Sequence, residues 1–355
     1  MEENEYYTIP ESQLCRKCHV RRIDLTENSN SILCKECREE QIKYPFPKKM
    51  IPAAIIIILL LGAALIRVPK TLSCYKIYQS AKAEAQSGEV YEALTGMLKV
   101  LETYPDSVPA AELAIELAMD YGYYDFGGYL INEYMVGKEV NDSTYAKMNM
   151  YTDRLTRYYN TYDKMDEISQ NLDVNQSEEE IMASLKRELL ACVDDPEQYP
   201  ALIYYYLGNM STDPAEAEQY LEAGIKEDPN LTMLSSALGT LKRRAGDFEG
   251  ARELYQNILD RDKSDPAALR AMGILCMLEG DMEQGLQYVQ RSYEEDPEGM
   301  YVKETLLIAL MENGRAEEAE TMKKQFEEAG QVFDEEFDSY LDGSVSLHDY
   351  YVDEE

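Results

Sequence analysis

Four of the seven cysteines stand in two pairs, Cys15-x-x-Cys18 and Cys34-x-x-Cys37, with fifteen residues between the pairs. Two residues between cysteines form a tight knuckle that points both sulfurs at one ion. Four thiolates then close a tetrahedron around Zn2+ and leave no position for water. The spacing therefore predicts one structural zinc on Cys15, Cys18, Cys34 and Cys37, in a segment with too few apolar side chains to fold without it. Rival chemistries fit less of the pattern. Cys15-x-x-Cys18-His19 matches a c-type haem attachment sequence, which would leave Cys34 and Cys37 unexplained and require export of the segment. A redox-active pair explains two cysteines and not four, and rubredoxin-like iron is the residual alternative. Cys74, Cys192 and Cys276 are odd in number, so no full disulfide set is expected, and Cys276 between Leu275 and Met277 reads as a small buried hydrophobe.

No catalytic constellation accompanies the cysteines. The two histidines, His19 and His348, lie beside the knuckle and near the C-terminus, and no P-loop, G-x-S-x-G or H-E-x-x-H pattern occurs. The expected protein is not an enzyme and has no catalytic residues. Around the paired knuckles, Val20 to Leu25 is expected as one strand, Glu27 to Asn30 as a polar turn and Ser31 to Leu33 as the return. This arrangement resembles the zinc-ribbon or treble-clef class and covers residues 1–49.

Residues 50–66 carry no charge, and nineteen helical residues from Met50 to Val68 span about 28 Å, close to the ~30 Å hydrocarbon core of a bilayer. Tyr44 and Phe46 before Lys48 and Lys49, and Tyr75 and Tyr78 after the run, have the character of interface residues. The stretch lies too deep in the chain, and Arg67-Val68-Pro69-Lys70 is too unlike a cleavage site, for a removed signal peptide. One transmembrane helix at 50–68 is expected. Flanking charge is nearly tied, with Lys35, Arg38, Lys43, Lys48 and Lys49 against Arg67, Lys70, Lys76 and Lys82. Zinc thiolates favour a reducing compartment, so the N-terminus is placed in the cytosol and the remainder outside it.

A 34-residue period organises the rest of the chain. Gly246, Gly280 and Gly314 are in step, as are Gly239 and Gly273, and a small residue comes five positions after each member of the first set, at Ala251, Gly285 and Ala319. One period before Ala251 stands Ala217. Earlier, Gly88 and Gly122 are again 34 apart, followed by Ala93 and Gly127. Glycine suits the turn between two helices, a small side chain lets them approach, and prolines such as Pro105, Pro229 and Pro297 end a pair. The pattern resembles the tetratricopeptide repeat. The resemblance implies an all-α solenoid of helical hairpins, with two repeats at 71–141, four at 198–331, a divergent helical segment at 142–197 with a loop near Leu172–Gln176, and an acidic cap and tail at 332–355. The tail is expected to be a short helix at Phe333–Leu341 followed by disorder.

Charge bounds the partners. Residues 1–49 are balanced, nine basic against nine acidic, whereas residues 71–355 carry 23 basic and 59 acidic side chains. Such a surface repels phosphate backbones, so no nucleic acid is expected and protein partners of neutral or basic character are. In a chain with 29 tyrosines and no tryptophan, Tyr121, Tyr124, Tyr204 and Tyr205 are the candidate peptide contacts. Lys242-Arg243-Arg244, the one basic cluster of the acidic part, suits the negative end of a helix. The sequence reads as a non-enzymatic, membrane-anchored repeat scaffold at the cell envelope. Two alternatives differ in class: a transmembrane signalling protein coupling repeat occupancy to a partner of the zinc module, and an adaptor with its repeats in the cytosol.

Overall fold

A computed structural model describes residues 9–26, 28–43, 47, 50–171 and 177–352, in two compact units, Met1–Leu72 and Ser73–Glu355. In the first, a 3-10 turn at Glu11–Gln13 leads into the cysteine knuckles, the second of which opens helix α1 (Lys35–Lys43). The expected strands do not form. Among the described residues the only pairing is an isolated antiparallel bridge between Leu14 and Arg22. The reason is visible in the side chains: Val20 and Leu25 are exposed, so the segment has no apolar face for a sheet to bury. Glu27, Tyr44, Phe46, Lys48 and Lys49, expected in the turn and at the interface, lie outside the described residues.

Helix α2 (Met50–Ser87) contains an 18-residue stretch of mean hydropathy 2.6 that nothing in the described structure covers. It is the one helix among the described residues long and apolar enough to cross a membrane. From Ser73 onward its residues belong to the second unit, where Cys74 and Ala81 are buried.

The second unit is a succession of helical hairpins. The end of α2 meets α3 (Val90–Thr103), and α4 (Val108–Asp120) meets α5 (Tyr124–Leu130), which runs into a π-helical turn at Ile131–Met135. Next come α6 (Asp142–Asn171) with α7 (Glu178–Ala191), α8 (Pro200–Met210) with α9 (Pro214–Glu227), and α10 (Thr232–Arg244) with α11 (Phe248–Arg261). Then follow α12 (Pro266–Leu278) with α13 (Met282–Glu295), and α14 (Val302–Glu312) with α15 (Ala316–Glu328). Residues 142–197, expected as a divergent helical segment, hold the 30-residue helix α6 and its partner α7. The partner α7 opens on a capping box between Ser177 and Glu180, and the expected loop at 172–176 lies outside the described residues.

The period-34 residues have two mechanical jobs. Gly246, Gly280 and Gly314 all take positive φ, 76°, 90° and 72°, at the turn inside a hairpin, where a side chain would be strained. After two of them, Asp247 and Asp281 cap the following helix by accepting the N–H of Gly250 and Gln284. The second job is close approach. A Cβ on Gly273 would lie 2.9 Å from the Gly285 carbonyl, and one on Gly285 would lie 3.0 Å from the Gly273 carbonyl, so α12 and α13 touch backbone to backbone. Ala93, Ala217, Ala251 and Ala319 are buried at equivalent crossings, Gly127 packs under Met119, and Gly239 under the Tyr255 ring.

The hairpins also meet out of sequence. Glu89, at the N-cap of α3, makes no side-chain cap, and the exposed amides of that helix are satisfied by a loop 172 residues away. Val90 N–H donates to Asp262 Oδ1 at 2.9 Å, Tyr91 N–H to Asp262 Oδ2 at 3.1 Å, and Glu92 N–H to Ser264 Oγ at 3.2 Å. Tyr123 donates its hydroxyl to Asp262 at 2.7 Å and Asp265 at 3.0 Å, and Lys263 N–H donates to the Gly88 carbonyl at 2.7 Å. A methyl group on Gly122 would overlap the Asn230 carbonyl, so the turn before α5 is in contact with the loop before α10.

The described residues up to Val352 are ordered as well, contrary to the expected disordered tail. Helices α16 (Glu335–Leu341) and α17 (Leu347–Tyr351) follow α15, and Phe337, Tyr340, Tyr350, Tyr351 and Val352 are buried with the side chains of α12 and α14. The acidic composition concealed an apolar stripe of aromatic residues large enough to hold the segment down.

Two outcomes follow from the packing. Asp262→Ala should strip hydrogen–deuterium exchange protection from the first turn of α3, a local loss of about 3 kcal/mol, while α12–α15 stay protected. The second concerns pH. Burial, then the neighbouring Glu92, raises the Glu295 carboxyl to about 7, with Asp262 and Glu89 adding to the effect and Arg291 opposing it. Burial raises Asp265 to about 6, with Asp262 adding and the Ala268 amide and Tyr123 opposing. Both groups bind protons more tightly in the folded than in the unfolded chain, so stability grows as pH falls from about 7 toward 4.5 and is lost as pH rises through the folded pKa. Glu295→Gln should flatten this dependence and raise stability at pH 8 by on the order of 1 kcal/mol, read from thermal unfolding in detergent.

Candidate metal centre and repeat groove

The four paired cysteines converge. All their sulfurs lie within 4.8 Å of one another, and Cys18 and Cys34 are 3.8 Å apart. Four thiolates about 2.3 Å from one tetrahedral ion stand about 3.8 Å from each other, so the spacing fits a metal ion. The backbone builds this from both ends. His19 takes a positive φ of 54° and donates its N–H to the Cys15 carbonyl at 2.9 Å, which turns the first knuckle. The second pair straddles the start of α1, with Cys34 just before it and Cys37 in its first turn. Cys15 N–H to Arg21 O at 2.8 Å and Arg16 N–H to Ile32 O at 3.0 Å tie the knuckles together, and an Asp24–Arg38 ion pair at 2.8 Å braces the outside.

Electrostatics points the same way. Burial acts to raise the Cys15 thiol, but amides of Cys18, Cys34 and Lys17 outweigh it and bring it down to about 6. Cys37 is pushed up to about 12 by its hydrogen bond to Cys34 and by burial. Four sulfurs this close cannot all ionise unless a cation sits among them. The buried cluster here consists of Cys15, Cys34 and Cys37, with Cys18 and Leu33 partly covered, so the cysteines are themselves the core of the module.

The second candidate is a groove of about 610 Å3 in the hairpin stack. One side of the lining comes from the first helices of successive pairs: Tyr205 and Asn209 of α8, Ser236 and Thr240 of α10, Ala267 of α12. Tyr91 and Tyr123 close the other side, so the N-terminal hairpins complete the wall. Of the four expected peptide contacts, Tyr205 lines this groove and Tyr124 does not. Tyr124 is 1% exposed, with its hydroxyl given to the buried Asp228, which also accepts from Tyr199 at 2.6 Å, so it is a core residue. Tyr121 lies under the Arg261 guanidinium and Tyr204 stacks on Tyr220, both half-buried outside the groove lining. The basic cluster forms the last turn of α10, at the negative end of the helix as expected, and makes further contacts there. Lys242 pairs with Glu218, and Arg243 is buried against the C-terminal segment.

The aspartates that organise these contacts do not stand out in the sequence. Asp228, Asp262 and Asp296 occur every 34 residues, each closing the second helix of a pair and accepting an N–H two residues on. Each also takes a tyrosine of the N-terminal hairpins or α4–α5 turn: Tyr124 on Asp228, Tyr123 on Asp262, Tyr91 on Asp296. Their spacing was the available signal, masked because Asp is common in this chain.

Residues 236–299 match the tetratricopeptide repeat family. Among solved structures, PilF of Pseudomonas aeruginosa aligns at 14% identity and TM-score 0.30 over 66% of this chain and 97% of its own. PilW, a type IV pilus biogenesis factor, aligns at 15% and 0.34 over 76% and 98%, and MamA of AMB-1 at 13% and 0.33 over 49% and 94%. No curated protein matches the sequence. The chain is all-helical, a solenoid of tetratricopeptide-like hairpins with an apolar helix and a four-cysteine cluster before it.

The purified full chain should carry about one equivalent of a divalent metal ion. Cys15→Ser or Cys37→Ser should lower that content at least several-fold, while chelation should open residues 9–43 to protease and leave the helical hairpins intact.

Proposed function

We propose that this chain is a non-enzymatic scaffold, anchored by one transmembrane helix at 50–68, whose repeat domain holds a protein partner. The observation that carries the reading is the groove walled by first helices and lined with hydroxyl, amide and aromatic side chains. Such a surface suits an extended or helical segment of another protein. The uncovered apolar stretch of α2 supports the anchor, because a soluble helix of that hydropathy would be expected to bury one face.

The metal is zinc in this reading, structural rather than catalytic, because four thiolates fill its coordination shell. Cys15, Cys18, Cys34 and Cys37 hold it in the module of residues 1–49. The cytosol suits these thiolates, and the orientation that results puts the acidic repeat domain on the other face of the membrane, at the cell envelope.

Protease added to intact spheroplasts should then digest residues 71–355 and spare an N-terminal tag; loss of the tag with survival of the repeats would invert the assignment. A photo-crosslinking residue at Ser236 should give discrete protein adducts, and Ala237→Trp, which fills the groove, should abolish them. Adducts indifferent to that filling would remove the groove from the function.

A further inference from the structure

The one strongly basic element of the acidic domain is already occupied. Helix α17 is five residues long, too short to be stable alone, and hangs from the rest through Gly343, whose φ is 80°. It nonetheless buries Tyr350, Tyr351 and Val352 to 7%, 6% and 8% exposure, at the end of a segment, residues 331–355, with nine acidic and no basic side chains. What it meets is a set of groups from three successive first helices. Arg243 of α10, itself 7% exposed, donates to the Tyr351 carbonyl, and its guanidinium lies 5.6 Å over the Tyr351 ring. Arg270 of α12 and Glu304 of α14 act electrostatically on the same tyrosine. The next residue after Arg243, Arg244, lines the open groove together with Thr240 and Leu241. The tail therefore sits on the same row of first helices, α10, α12 and α14, that begins in the groove wall, on a seat separate from the groove lining.

We propose that residues 346–352 are a resident occupant of a seat on the row of first helices beyond the groove, and that the partner which displaces them is a segment of the same chemistry, a short helical turn with adjacent tyrosines in an acidic context. Recognition needs no sequence-specific pocket beyond what the tail already uses: a guanidinium for a backbone carbonyl and a ring face, and an apolar seat for a second aromatic. The net charge of the domain points to basic partners, yet on the first helices at this seat Arg243 and Arg270 outnumber Glu304, a local excess of positive charge that favours an acidic one. A tethered tail acts at an effective concentration in the millimolar range, so a partner must bind more tightly than the tail does or present more contacts, and the seat under the tail stays closed to weak ligands.

The inference rests on the scaffold reading, and the test separates the two. The probe is a fluorescent synthetic peptide of residues 344–355, its anisotropy measured against the full chain in detergent. A chain ending at Gly343 should bind it saturably and at least tenfold more tightly than the intact chain. Arg243→Gln in the shortened chain should weaken binding at least tenfold, and a peptide with both tyrosines replaced by alanine should not bind. Equal binding by intact and shortened chains, or indifference to Arg243→Gln, would overturn the proposal. Should the shortened chain lose helicity, the full-length Tyr350→Ala/Tyr351→Ala chain takes its place and must bind the peptide; failure to bind, or unfolding of that chain too, makes the tail plain core and sinks the idea. Crosslinks from Ser236 that persist in Arg243→Gln while the peptide fails to bind would leave the scaffold function standing alone.

Discussion

A buried carboxylate ties the first hairpins of the repeat array to a loop between later ones. Asp262 sits at 3% exposure and accepts from two amides of α3, from Tyr123 and from its own Ser264. A buried charge with so many donors is tolerable only when all of them stay in place. Remove the α3 terminus and Asp262 loses two of its five donors; remove Asp262 and α3 has an uncapped first turn. One repeat earlier and one later, Asp228 and Asp296 take tyrosine hydroxyls of the N-terminal hairpins instead of helix amides. The N-terminal hairpins are therefore a fixed wall, and the groove between them and the first helices of α8, α10 and α12 has a defined width because of it.

The acidity of the chain acquires structure in this light. Many of its carboxylates are solvated surface, but a minority are placed where a helix needs an anion, as caps or as acceptors for tyrosine hydroxyls. Tyrosine serves that arrangement better than phenylalanine or tryptophan would, since its ring fills the space between helices and its hydroxyl reaches the carboxylate. Glu92, Glu295 and Asp265 are the cost of the design: carboxylates buried and brought near one another by folding, with raised affinity for protons. The few cations play the opposite part. Arg243 is buried where it can hold a backbone carbonyl and cover a ring, a task its planar guanidinium suits better than lysine.

The N-terminal module obeys a different rule. It has almost no apolar interior, and the groups that converge are the cysteines themselves, so its order depends on what binds them rather than on what they exclude. That is why its chain needs no strands: a bridge, two knuckles and one short helix suffice to aim four sulfurs at a point.

Local chemistry was legible from the sequence alone. Positive φ at Gly246, Gly280 and Gly314, the small residues at helix crossings, the capping box at Ser177 and the cysteine knuckles all depend on neighbours within a few residues or one repeat, and each residue type states its role. What tertiary structure decided was contact between distant parts. Nothing in the spacing of Asp262 says that its partner is the amide of Val90, because a carboxylate accepts from any donor brought to it. Tyr124 looked like a contact residue and is core, since a tyrosine's environment depends on what packs over it. The tail read as disordered from its charge, yet two adjacent tyrosines with a seat prepared by α10, α12 and α14 outweigh that charge, and only the folded stack contains the seat.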